Sequence, residues 1–124
     1  MKDLIKNARH AIAAAEQSQR IQAWAVVCLC CEILGCYPYQ VFGPRRDPAI
    51  TDCRHIVAEN LIRMGYTYEQ AGNILGGRHH TTILSGRRRY SDLHDTDPVF
   101  RAKAEATAAA VTAIFHPEAE SIAI

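Results

Sequence analysis

Between Arg78 and Arg89 the chain gathers Arg78, His79, His80, Thr81, Thr82, Ser85, Arg88 and Arg89. These side chains bind rather than react. A guanidinium grips a phosphate or a guanine edge through two bonds, and a threonine packs its methyl on thymine while its hydroxyl bonds a neighbouring edge. At about 100° per residue, Thr81, Ser85 and Arg88 fall on one side of a helix, flanked by Thr82 and Arg89. Ile83, Tyr90 and Leu93 fall on the other, with Gly86 among them. One face therefore packs and the other presents donors. A helix starting near His79 or His80 also aims free N–H groups and a positive dipole end at an anion.

Other chemistries fit less well. Adjacent histidines on a helix point about 100° apart, so His79 and His80 do not share a metal ligand. Cys28, Cys30, Cys31, Cys36 and Cys53 lack the paired C-x-x-C spacing of a zinc site, even with His55 added. Three of them sit in an apolar helical run and read as core side chains. G-G-R-H-H-T-T lacks the lysine and the long loop of a nucleotide phosphate cradle. No carboxylate pair or nucleophile–base pair is visible. The expectation is a binding protein, not an enzyme, with no metal and no cofactor.

The elements that must carry these residues are helical. Thr67 is a plausible cap for a helix to Leu75, and Gly76-Gly77 ends it. A second helix then starts near His79, giving a helix-turn-helix, whose second helix enters the DNA major groove. The plain alternative is a two-helix corner with a solvated basic face. Upstream, Pro48 to Met64 forms a long helix with Ile50, Cys53, Val57, Leu61 and Met64 inward. Gly43 to Pro48 is a loop carrying Arg45 and Arg46. A helix from Gln19 to Leu34 is anchored by Ile21, Trp24, Val27, Cys28 and Cys31, and Tyr39 to Phe42 is a short helix or turn. Thr96-Asp97-Pro98 opens a final helix that ends before Pro117. An additional N-terminal helix, within residues 1–18, carries Leu4, Ala8, Ala11, Ile12 and Ala15 as a stripe that packs on its own domain, pairs with another chain or docks a partner. Residues 117–124 form an acidic, then apolar, tail. The predicted fold is an all-α bundle: this helix, a domain over 19–116, and the tail.

A chain of 124 residues, 48% hydrophobic and 22% charged, suits one folded domain. No apolar run approaches a membrane span and no signal peptide is visible, so a cytoplasmic protein is expected. The net charge of +1 is unevenly spread: four basic and three acidic residues before Arg45, eight and four from Arg45 to Tyr90, two and six afterwards. The positive segment is the one that carries the donors, where phosphate attraction needs it.

At G-G-R-H-H-T-T-I-L the sequence resembles the C-terminal DNA-binding domain of the bacterial replication initiator DnaA, whose pattern there is G-G-R-D-H-T-T-V-L. The resemblance runs from Ile21 to Ala113, through L-C-C-E-I-L-G-C-Y-P-Y-Q-V-F-G-P-R-R and C-R-H-I-V-A-E-N-L-I-R-M. It implies a Trp-repressor-like helix-turn-helix that binds double-stranded DNA as a monomer or homodimer. It assigns Arg78 to a phosphate or base contact, and His80, Thr81 and Thr82 to base reading. Ser85 stands where the family often has histidine. Arg46 matches a basic loop residue that enters the minor groove beside Arg45. Arg54 and His55 match positions that touch the DNA backbone and nearby bases. His79 replaces an aspartate, which implies an altered site preference. The family's ATPase is a separate domain for which this chain has no room. A stand-alone transcription regulator, of the kind found in phage-like gene clusters, is the first expectation. A replication accessory protein that competes for origin sites is the alternative.

Overall fold

Nothing between Lys2 and Leu34 stops a helix: that stretch holds no glycine and no proline. In a computed structural model, which describes residues 2–116, it is one continuous 33-residue helix, α1 (Lys2–Leu34). The two helices expected over Asp3–Gln17 and Gln19–Leu34 are therefore one, because Gln17-Ser18-Gln19 carries no breaking residue. Gly35, at φ +73°, closes it, and the Cys36 amide donates back to the Cys31 carbonyl at 3.0 Å.

Five helices follow. They are α2 (Pro38–Phe42), α3 (Pro48–Arg63), α4 (Tyr68–Ile74), α5 (His80–Thr96) and α6 (Pro98–Phe115). Their starts are written locally. Pro38, Pro48 and Pro98 open three of them. The Thr67 hydroxyl accepts from the Gln70 amide, and the Gln70 side chain accepts from the Thr67 amide. Asp97 Oδ1 accepts from the Val99 and Phe100 amides.

Helix α3 lies in the middle and touches all five others. Val57 and Leu61 on α3 pack with Val26, Val27, Cys30 and Cys31 of α1, Val41 of α2, Ala71 of α4, Leu75, Ile83 of α5 and Val111 of α6. A second cluster joins Ile56 to Tyr90, Leu93, Phe100 and Ala104, tying α5 and α6 to the other side of α3. Burial raises the Cys30 thiol to about 12 and the Cys31 thiol to about 11, so both stay protonated and pack as apolar groups.

Two expectations about α1 are corrected. Ile21 and Trp24 do not anchor the core: they are 63% and 53% exposed, and Ala23, Val26, Val27, Cys30 and Cys31 are the buried residues of α1. Trp24 lies over Phe42 at the surface, with ring centroids 5.5 Å apart. The N-terminal part of α1 does not pack on its own domain: every residue from Asp3 to Gln22 is exposed. The tail expected over residues 117–124 lies outside the described residues.

Candidate nucleic-acid interface

The geometry starts from the turn between α4 and α5. Gly76 and Gly77 sit at φ +83° and +79°, which side chains rarely adopt. The Gly77 and Arg78 amides then turn back to the Gly72 carbonyl at 3.0 and 2.8 Å. A Cβ on Gly72 would collide with the Arg78 carbonyl, and one on Gly76 with that of Phe42. The helix, the turn and the end of α2 are thus in backbone contact.

His79 caps α5. Its Nδ1 accepts from the Thr81 amide at 3.3 Å and lies 2.8 Å from the Thr81 hydroxyl. The His80 ring lies against it, with centroids 4.2 Å apart. From this cap α5 runs as the spacing predicts. Ile83, Gly86, Tyr90 and Leu93 are buried, and His79, His80, Thr81, Thr82, Ser85, Arg88 and Arg89 are exposed.

The arginine triplet divides. Arg87 reaches sideways: its Nε donates to Glu59 Oε2 at 3.0 Å and its Nη1 to the Tyr68 hydroxyl at 2.9 Å. Glu59 is buried on α3 and takes Arg63 as well, at 3.3 Å. Arg87 is therefore a strut between α5, α3 and α4, while Arg88 and Arg89 face outward.

Facing the start of α5 is the loop after α2. Between them lies an open cleft of about 760 Å³, walled by Arg45, Arg46 and Pro44 on one side, Arg78, Thr82 and Gly86 on the other, and floored by Thr51, Arg54 and His55. Among the described residues no acidic side chain lines it. Arg45 holds Asp47 through two bonds, at 2.9 and 3.2 Å, which offsets its charge. Arg46 is exposed and makes no ion pair among the described residues.

The roles expected for Arg54 and Arg78 need correcting. Arg54 is 9% exposed. Its Nε donates to the Val41 carbonyl at 2.8 Å, and its Nη2 to those of Gln40, Gly43 and Arg45 at 3.3, 3.1 and 3.0 Å. Arg78 donates to the carbonyls of Val41, Phe42, Gly43 and Leu75. Both guanidinium groups satisfy the carbonyls that the short α2 leaves open. They hold the loop in place from inside instead of reaching outward. Burial, with the Arg78 charge second, lowers the Arg54 pKa; burial alone lowers that of Arg78.

His55 is half-buried with its ring against Gly86. Burial, then Arg54 and Arg89, lowers its pKa, so the imidazole that His55 contributes to the cleft floor is neutral near pH 7. Thr51 was not anticipated. It stands one helical turn before Arg54 and His55, and that spacing is the signal that could have found it.

The structure thus brings Arg45, Arg46, Arg54, His55, Arg78 and Thr82 around one cleft, and sets Thr81, Ser85, Arg88 and Arg89 along the exposed side of α5. Among the described residues no helix is long and apolar enough to cross a membrane. No known protein family matches the chain, and no curated protein matches it either.

Proposed function

We propose that this chain is a sequence-specific double-stranded DNA-binding protein that regulates transcription. Helices α4 and α5 act as a helix-turn-helix. The outer side of α5 reads base edges in the major groove through Thr81, Thr82, Ser85 and Arg88. The loop presents Arg46 to the adjacent minor groove, where an arginine senses groove width and potential. His79 and His80, at the open N-terminal end of α5, meet the DNA first. Arg54 and Arg78 act one layer back, by fixing the loop.

One observation carries the reading: Thr82, at the start of the exposed side of α5, borders the same cleft as the arginine loop, and among the described residues no acidic side chain lines it. A solvated helix corner has no need of such a match. The string G-G-R-H-H-T-T-I-L, similar to that of the replication initiator, supports the same assignment.

The test is selection of bound sequences from a random duplex pool with the purified chain. A defined motif is expected, bound with an affinity that falls steeply with salt. Arg88→Ala and Thr82→Ala should each cost about 1–3 kcal/mol at the selected motif and relax it at one position. Enrichment of the initiator's own site would turn the assignment towards a replication accessory. Absence of any salt-sensitive binding would remove it.

A further inference from the structure

Helix α1 reaches well beyond the domain it belongs to. The domain grips it from Gln19 onward, where the Tyr66 hydroxyl donates to the Gln19 carbonyl at 2.8 Å and to Gln22 Oε1 at 3.1 Å. The residues from Lys2 to Ser18, ahead of that grip, span about 25 Å. This arm is not polar all round. Ile5, Ala8, Ile12, Ala15, Gln19 and Gln22 alternate at spacings of four and three, and the same rhythm continues to Val26, which is fully buried. From Ala15 back to Ile5 the face that packs on the domain therefore runs on into solvent, with no described residue beneath it. Leu4, Ile5 and Ile12 are 72%, 52% and 59% exposed. A shallow hollow on this face is lined by Ile12, Ala15, Glu16, Gln19 and Gln22.

We infer that this arm is a self-association surface, and that two copies pair through it antiparallel. The occupant is identified by charge. Arg9 and Glu16 flank the apolar stripe on the same side, each one position after an inward alanine. They are seven residues apart, about 10 Å along the axis, too far to pair within one chain. Neither makes an ion pair among the described residues. When two such helices run antiparallel, like flanks face each other. Setting Ile12 of one copy on Ala15 of the other brings Arg9 of each within reach of Glu16 of the other, twice over by symmetry. A parallel pair would put these flanks on opposite sides. The alanines permit close approach of the two helices. The interface is one helix wide, at the small end of specific contacts, which fits a dimer exchanging with monomer at micromolar concentration. The inference does not depend on DNA binding.

Sedimentation of the full chain over a range of concentrations, without DNA, tests it. The mass should rise from one chain towards two. Ile12→Glu should stay monomeric and keep the thermal unfolding of the domain. Arg9→Glu and Glu16→Arg should each weaken association roughly tenfold, and the double reversal should restore it. A monomer at every concentration overturns the inference, as does a dimer that survives Ile12→Glu. A dimer indifferent to the single reversals overturns the antiparallel arrangement.

Discussion

Arg54 and Arg78 donate to the same two backbone oxygens, the carbonyls of Val41 and Gly43. Two like charges are thereby drawn together in a half-buried place. What offsets their repulsion is the cluster of open carbonyls at the end of α2, which no amide of that five-residue helix can satisfy. The pair therefore converts a weak helix end into a fixed loop. Its geometry depends on the planar fork of arginine, which spreads donors over several acceptors.

Arg54→Lys should be far from conservative. A single ammonium cannot span the Gln40, Val41, Gly43 and Arg45 carbonyls that Arg54 serves. Leaving part of that set unpaired should cost about 2–3 kcal/mol, read as a lower urea midpoint with an unchanged slope. On the proposed function, affinity for the selected duplex should fall too, because Arg46 is carried by the same loop. A stability equal to that of the parent protein would show that the internal bonds contribute little.

A second prediction concerns the seam between α3 and α5. A Cβ on Gly86 would lie 2.8 Å from His55 Nδ1, closer than such atoms approach, and a ring atom this near its backbone has little freedom to withdraw. Gly86→Ala should therefore destabilise by about 1 kcal/mol, even though alanine is the better helix former. In a His55→Ala background the clash is gone, and the same change should stabilise by up to about 1 kcal/mol. A double-mutant cycle from thermal unfolding reads this reversal of sign.

His55 should also leave a mark on the pH profile. Its folded pKa lies below the ordinary value of 6.5, through burial first and the Arg54 and Arg89 charges next. Above 6.5 the imidazole is neutral in both folded and unfolded chains, and its contribution is complete. As pH falls through 6.5 the unfolded chain takes up a proton that the fold resists, so stability drops. As the pH is taken below 6.5, the wild type should lose stability relative to His55→Gln, measured as urea midpoints. Parallel profiles would place the ring in a less confined setting.

What the sequence made legible was local. The Thr67 cap, the glycine pair, the start of α5 and the Asp97-Pro98 start are each set by a few neighbouring residues, and all of them stand in the structure. The exposed and buried sides of α5 follow from the helical period alone. What stayed hidden depends on distant chain. Arg87, Arg88 and Arg89 look alike in sequence, and only the position of Glu59 on α3 separates the strut from the two outward charges. Arg54 and Arg78 turn inward because α2 ends beside them, which no spacing announces. Trp24 was expected among the anchors of α1, but the register of the helix buries Ala23 and leaves the indole 53% exposed. The break expected near Ser18 has no physical stop behind it, since Gln17-Ser18-Gln19 holds neither glycine nor proline.

His79→Asp separates folding from reading. His79 serves α5 as its cap, through an Nδ1 that accepts from the Thr81 amide. Aspartate is among the strongest caps, and its charge suits the positive end of the helix. The substitution should therefore keep or slightly raise the melting temperature. At the DNA it introduces a free acceptor able to take a cytosine amino group, whereas the Nδ1 acceptor of His79 is already taken by the Thr81 amide. If His79 tunes the site, the variant's selected motif should move towards the initiator's own while overall salt dependence stays near that of the parent. An unchanged motif with unchanged stability would confine His79 to the cap. A motif change accompanied by a loss of stability would mean that the ring supports α5 in a way that a carboxylate cannot replace.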